Sequence, residues 1–100
     1  MVELTEEVKN YLDITWSEED AYIVKIINRG KDYLNEKTGT ELDFEKDSKA
    51  IQLLLDFCRY VYNNSFELFD VNFQREIMSL VIREAVKDRA AKKDDSETNS

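Results

Sequence analysis

Apolar residues recur every three or four positions along four stretches of the chain, which is the spacing that places them on one face of an α-helix. The first stretch is short: Thr5 is the predicted N-cap, and Val8, Tyr11 and Leu12 form a single apolar face. A helix of this length is marginal in isolation. We therefore expect it to depend on packing against the rest of the chain.

The second stretch is the longest of the four and has a glycine in its apolar face. We predict that Ser17 caps this helix and that Thr38 and Gly39 end it, because glycine readily adopts the left-handed conformation that follows a helix. The glycine in the stripe is either tolerated, at a cost of about 1 kcal/mol relative to alanine, or marks the point where another helix crosses close to the backbone. The stripe consists of Ile23, Ile27, Gly30 and Leu34.

The third and fourth stretches predict a central helix and a final amphipathic helix. With Asp47 or Ser48 as its N-cap, the third helix carries apolar residues on almost every side over residues 51–62. We expect it to have neighbours on several sides. The predicted N-cap of the fourth helix is Asp70 or Asn72. Its main stripe is formed by Phe73, Ile77, Leu80, Val81 and Ala85, and a second apolar face is formed by Met78, Ile82 and Val86.

Composition and spacing together predict the fold class and the domain boundary. The chain has no proline and only two glycines, whereas tightly turned β architectures need both residues at their turns. The apolar spacing ends after about Arg89, and residues 91–100 have the composition of a disordered tail. We predict an all-α fold: a compact bundle of about four helices over residues 1–90, with a long second helix, a central third helix and a flexible tail over residues 91–100.

Charge and missing residue types narrow the function. The net charge of −8 opposes binding to nucleic-acid phosphates and to an anionic membrane surface, and no apolar run is long enough to span a bilayer. The single cysteine, Cys58, cannot form an internal disulfide, which fits a reducing cytosol. Without histidine or a glycine-rich phosphate loop, we expect no catalysis, no cofactor and no metal site.

Five apolar positions are candidates for contacts between subunits. Trp16 precedes the second helix and is either a local staple or an anchor in a neighbouring subunit. The connection before the fourth helix is unusually aromatic, and its side chains either close a small core or form a contact surface. Gly30 permits close packing against the same domain or against the next subunit. The subunit-interface candidates are Trp16, Gly30, Phe66, Phe69 and Phe73.

One basic cluster stands near the C-terminal end of this acidic chain. It consists of Lys87, Arg89, Lys92 and Lys93. These residues either complement the negative end of the fourth helix or dock onto an acidic partner, with the tail becoming ordered on contact. The residues alone leave both readings open.

The order of these features resembles the phage head–tail connector family, the small helical adaptor or head-completion proteins of long-tailed phages and prophages. The resemblance rests on Val8-Lys-Asn-Tyr-Leu12-Asp-Ile14, on Ser17-Glu-Glu-Asp20 and on Thr38-Gly39, and it covers roughly residues 4–88. In the second half, Tyr60-Val61-Tyr62-Asn63-Asn64 is not followed by the Asn-Arg-Glu frequent in the family, and the proline common before the last helix is absent. The geometry of residues 63–73 is therefore left open.

The resemblance implies a structural subunit that joins the portal vertex after DNA packaging, forms a ring matched to the portal's twelvefold symmetry, and continues the DNA channel toward the stopper and tail. It implies as partners the portal protein, a stopper or tail-completion protein and further copies of the chain, at the virion head–tail junction after assembly in the host cytoplasm. In the family the C-terminal region contacts the portal. The resemblance therefore implies that the basic cluster contacts the portal. DNA would pass through the channel without specific binding.

Two other functions stay open. A small acidic regulator that binds and occludes another protein would form a discrete complex with a basic partner and would not bind a portal. A DNA-binding helix-turn-helix module would need a basic recognition helix, and none of the four predicted helices is basic over its length.

Overall fold

Five α-helices and one 3₁₀ turn make up most of the chain. The structure is a computed structural model that describes the backbone of residues 2–99 and the side chains of residues 3–90. Within residues 2–99 it contains no strand, which confirms the all-α prediction. The elements in chain order are α1 (Val2–Tyr11), α2 (Asp20–Thr38), α3 (Ser48–Tyr62), the 3₁₀ turn Phe66–Leu68, α4 (Phe69–Asn72) and α5 (Gln74–Asn99).

The long second helix and the central third helix are both present, and α3 lies in the middle of the fold. It contacts α1, α2, the 3₁₀ turn, α4 and α5. Six consecutive residues of α3, from Leu53 to Cys58, are buried. Asp56 is the polar member of this run, and its carboxylate accepts the Tyr11 hydroxyl at 2.5 Å. That hydrogen bond ties α1 to the central helix.

Two predicted N-caps were wrong, because tertiary contacts decide where α1 and α2 begin. α1 begins at Val2, since Leu4 is buried one turn before Val8 and extends the apolar face, so Thr5 lies inside the helix. α2 begins at Asp20, not directly after Ser17, and its N-cap residue Glu19 makes no side-chain capping hydrogen bond. The Glu19 carboxylate instead accepts the Tyr62 hydroxyl at 2.7 Å, which joins the start of α2 to the end of α3.

The predicted C-terminal end of α2 and the predicted start of α3 are confirmed, and the predicted start of the last helix is not. Gly39 follows α2 with φ of 70°, and its N–H donates to the Asn35 carbonyl at 2.8 Å. The Asp47 carboxylate caps α3 by accepting the Ala50 N–H. Asp70 and Asn72 lie within α4 and therefore do not cap α5, which begins at Gln74.

The predicted domain boundary falls where the described side chains end. The division into a domain over residues 1–90 and a disordered tail over residues 91–100 stays a prediction, because the side chains of the tail lie outside the described residues. Within the described part of the chain, no helix has both the length and the apolarity needed to cross a membrane.

α2 crosses close to α3 at Gly30, which answers the question raised by the glycine in the stripe. A Cβ atom at this position would lie 2.5 Å from Cδ1 of Leu54 and 2.8 Å from Cδ1 of Phe57. Both of these side chains are buried and held by neighbours, so neither is free to retreat. Gly30 is therefore a packing requirement of this fold.

We predict that Gly30→Ala destabilises the protein by about 1–3 kcal/mol, because the added methyl group overpacks the crossing. Helix propensity alone predicts the opposite sign, a gain of about 1 kcal/mol. Urea unfolding followed by far-UV circular dichroism measures the difference. Asn28→Ala, at an exposed position of the same helix, is the control and should be neutral or slightly stabilising. A Gly30→Ala variant as stable as wild type would mean that the crossing is not tight.

Candidate functional site

The aromatic connection between α3 and α5 forms one packed cluster around Phe69. The ring of this residue is fully buried and lies 5.5 Å from the ring of Phe57, 5.9 Å from that of Tyr33 and 5.1 Å from that of Phe73, measured between centroids. Most pairs in the cluster meet edge to face, the arrangement that aromatic quadrupoles favour, and Phe69 and Phe73 stack. The cluster fixes α4 and the first turn of α5 against α2 and α3.

The backbone of residues 63–73, which the sequence left open, is built from two turns. Asn64 has φ of 57°, a conformation that asparagine tolerates better than most residues, and the Ser65 N–H donates to the Tyr60 carbonyl at 2.8 Å. The 3₁₀ turn and α4 follow directly, and the Asn72 side chain donates to the Tyr60 hydroxyl at 2.9 Å. Asparagine and a 3₁₀ turn thus turn the chain where no proline is present.

The five subunit-interface candidates divide between core and surface. Gly30 and Phe69 pack inside this chain, so we place them in its core. Trp16 and Phe66 are exposed, at 43% and 37%, and Phe73 is partly buried against Phe69. Trp16, Phe66 and Phe73 therefore remain predicted subunit contacts.

α5 also presents a largely exposed apolar face, whose members are not part of the core cluster. We call it the outer face of α5 and define it by Arg75, Met78, Ile82, Val86 and Arg89, which follow one another at three- or four-residue spacing. Its three apolar members are 53–61% exposed. The sequence had marked them only as a second apolar face, because spacing shows that a face exists but not whether the fold covers it.

The opposite face of α5 is held by the core and by an ion pair. Ile77 and Leu80 are buried, and the Arg83 guanidinium donates to both carboxylate oxygens of Asp47 and pairs with Glu84 at 2.9 Å. The Arg83 guanidinium lowers the pKa of Asp47, and the hydrogen bond from the Ala50 N–H acts in the same direction. Asp47 thus caps α3 and fixes the rotation of α5, which orients the outer face.

The two members of the basic cluster whose side chains the structure describes, Lys87 and Arg89, lie on different sides of α5. Successive residues of an α-helix are about 100° apart, so Lys87 and Arg89 lie about 160° apart around α5. Lys87 is on the side of Arg83 and pairs with Glu84 at 3.4 Å, whereas Arg89 lies on the outer face. The side chains of Lys92 and Lys93 are outside the described residues.

A groove with mostly acidic walls lies between α1, α2 and the connection from α2 to α3. We call it the acidic groove; its volume is about 850 Å³, and two lysines, Lys31 and Lys46, also line it. Asp43 accepts the backbone N–H groups of Glu45 and Lys46, which shapes the connection. The acidic side chains lining the groove are Glu3, Glu6, Glu7, Glu41, Asp43 and Glu45.

The groups that could carry out chemistry are few in the described residues. No set of histidine, cysteine, aspartate and glutamate side chains there is arranged to hold a metal ion. Burial raises the pKa of the Cys58 thiol to about 12, so this thiol is protonated and unreactive at neutral pH. The features that remain as candidates for function are surfaces, namely the outer face of α5, the acidic groove and the exposed aromatic residues.

Comparison with known families gives one match, which spans nearly the whole chain. A family model described as "Phage gp6-like head-tail connector protein" matches residues 2–94. Comparisons with curated proteins and with solved structures gave no significant match. The matched range includes α1 to α4 and most of α5, and it agrees with the resemblance stated from the sequence.

We predict that Arg83→Met lowers the free energy of unfolding at pH 7 by about 1 kcal/mol, because it removes the partly buried partner of Asp47. Since the folded-state pKa of Asp47 is lowered, the stabilisation is present above the unfolded-state pKa of about 4 and is lost as the pH falls through the folded-state value. Urea unfolding of wild type and variant at pH 7 and at successively lower pH measures this. Arg75→Met, at an exposed arginine, is the control; an equal loss in both variants would contradict the assignment.

Proposed function

The chain belongs to the phage gp6-like head–tail connector family, and from this premise we propose that it is a structural adaptor subunit with no catalytic role. In this proposal, copies of the chain bind below the portal, form a ring matched to it, and extend the DNA channel toward the stopper and tail. The observation that carries the proposal is the family match over residues 2–94.

Charge supports a role as a conduit. The chain carries −8 overall, so a wall built from many copies would repel the phosphates of DNA rather than hold them. A channel that releases DNA during infection needs this property, because each neutralised phosphate would add to the cost of moving the duplex. The proposed partner inside the ring is therefore DNA in transit, bound without sequence specificity and without strong contacts.

The portal contact is proposed for the C-terminal part of α5. Lys87 is 63% exposed in its side chain, and it lies on the side of α5 that faces away from the outer face. We propose that Lys87, Lys92 and Lys93 contact acidic groups of the portal. Arg89 was predicted from the sequence to act with them, but its place on the outer face separates it from Lys87.

The proposed location is the head–tail junction of the virion, which the family suggests, after assembly in the host cytoplasm. The proposed partners there are the portal protein above the ring, a stopper or tail-completion protein below it, and neighbouring copies within it. Trp16, Phe66 and Phe73 are proposed contributors to the contacts between copies, since aromatic side chains supply much of the energy of such interfaces.

We expect native mass spectrometry of the full chain mixed with the portal protein of the same phage to detect a complex with many copies of the chain on each portal ring. Lys87→Glu/Lys92→Glu/Lys93→Glu should weaken binding to the portal by at least about tenfold, since like charges would then meet across the interface. The matched control is Lys25→Glu/Arg29→Glu/Lys37→Glu, which makes the same charge change at exposed residues of α2 outside the acidic groove.

Two results would contradict the proposal. A wild-type chain that does not bind the portal, while forming a discrete complex with a basic protein, would favour the acidic regulator. Equal loss of portal binding in the two triple variants would show that overall charge, and not the C-terminal lysines, controls the interaction.

A further inference from the structure

We propose that the outer face of α5 in one copy packs into the acidic groove of the next copy. Each subunit then contacts one neighbour through its outer face and the other neighbour through its acidic groove. This inference rests on the proposed function, because it names the contact between neighbours in the ring. Its starting point is that Met78, Ile82 and Val86 on the outer face of α5 are each more than half exposed and are not part of the core cluster.

The charges at the two ends of the outer face indicate an acidic occupant. Arg75 and Arg89 flank the three apolar residues, both are exposed, and neither forms an ion pair with a described side chain. An interface of this kind buries an apolar centre and leaves its charged ends at the rim, where an opposite charge on the partner sets orientation and register. The partner surface should therefore combine carboxylates with some apolar wall.

The acidic groove of the same chain has that chemistry. Six carboxylates line it against two lysines, so the groove is strongly negative even within an acidic chain. The apolar part of its wall is formed by Leu4, Leu42, Phe44 and Ile51, and the first three of these are 8–9% exposed. Its carboxylates come from α1 and from the connection over residues 41–46, so the two arginines of an incoming helix would meet acidic side chains from two segments.

The positions of the outer face and the acidic groove in the fold make the proposed contact heterologous, that is, a contact between two different surfaces. α1 and α5 do not touch within the described residues, and they pack on different parts of the α2–α3 pair. The connection over residues 41–46 meets α5 on the side of Lys87, about 160° around the helix from Arg89. The outer face and the acidic groove therefore lie on different sides of the subunit and cannot satisfy each other within one copy. Two different surfaces joined head to tail generate a ring when the rotation closes.

A symmetric dimer of α5 helices fits the charges poorly. Arg75 and Arg89 are each seven residues from Ile82. Antiparallel packing of two outer faces about Ile82 would therefore place Arg75 of one copy beside Arg89 of the second, and like charges directly opposed are unfavourable. The acidic groove removes this conflict because it offers carboxylates to both arginines. Arg89 is accordingly assigned to the neighbouring copy, and Lys87 remains a portal contact.

The test exchanges charges between the two surfaces in the full chain. The first variant, Arg75→Glu/Arg89→Glu, makes the outer face acidic. The second, Glu3→Lys/Glu7→Lys/Glu41→Lys, makes the groove basic, because three carboxylates and five lysines then line it. For each variant alone, the protein concentration at which the ring on the portal is complete should be at least about tenfold higher than for wild type, because like charges then meet at every contact. Copies per portal are counted by native mass spectrometry at about 0.1 M salt, and far-UV circular dichroism shows that each variant is folded.

Recovery of ring assembly when the two variants are mixed would show that the outer face pairs with the acidic groove. An equal mixture of the two variants should fill the ring again with both chains in equal numbers, because each acidic outer face then meets a basic groove and each basic outer face meets an acidic groove. One chain with all five substitutions should also assemble. Lys25→Glu/Arg29→Glu, which makes the same charge change at exposed positions of α2 as the first variant, should assemble like wild type.

Three results would overturn the inference. Assembly of the first variant at wild-type concentration would show that the outer face does not contact a neighbour. Loss of all portal binding by the first variant, without rescue by the second, would assign the outer face to the portal instead. A wild-type chain that binds no portal and stays monomeric would overturn the adaptor function together with this contact, whereas the first two results leave that function standing.

Discussion

The close crossing of α2 and α3 at Gly30 determines how the rest of the chain packs. With no Cβ at this position, Leu54 and Phe57 of α3 lie against the backbone of α2, at distances that a methyl group would not permit. Phe57 is then within 5.4–5.5 Å of the rings of Tyr33, Phe66 and Phe69. The aromatic cluster connects this crossing to α4 and α5. The orientation of the outer face of α5 therefore depends on the absence of a side chain at Gly30 in α2.

Polar contacts between distant segments hold the periphery of the fold. Tyr11 donates to Asp56, Tyr62 donates to Glu19, and the Lys9 ammonium pairs with Asp20 at 2.7 Å. The Asp20 carboxylate raises the pKa of Lys9, because hydrogen bonding and charge favour the protonated amine. An acidic chain thus uses part of its excess carboxylates to position helices.

The sequence was sufficient where one local signal decides the structure, and insufficient where distant residues compete with it. Gly39 and Asp47 were predicted correctly, because a left-handed glycine and an N-cap carboxylate act within one turn. Thr5 and Ser17 have equally good capping side chains, but the burial of Leu4 and the bond from Tyr62 to Glu19 set other starting points. For the candidate surfaces the same limit applies: the spacing of Met78, Ile82 and Val86 is visible in the sequence, while their exposure depends on how Arg83 and Asp47 rotate α5.

The balance between the apolar face and the net charge bears on when such a subunit would assemble. Three half-exposed apolar side chains form a narrow strip, and the charge of −8 makes free copies repel one another. On the proposed function, contacts this weak would leave free copies apart in solution, yet copies held side by side on a portal would meet at a high effective concentration. A repulsive charge and a small attractive face therefore suit a ring that closes on its template and not before it, because the template supplies the proximity that the interface alone lacks.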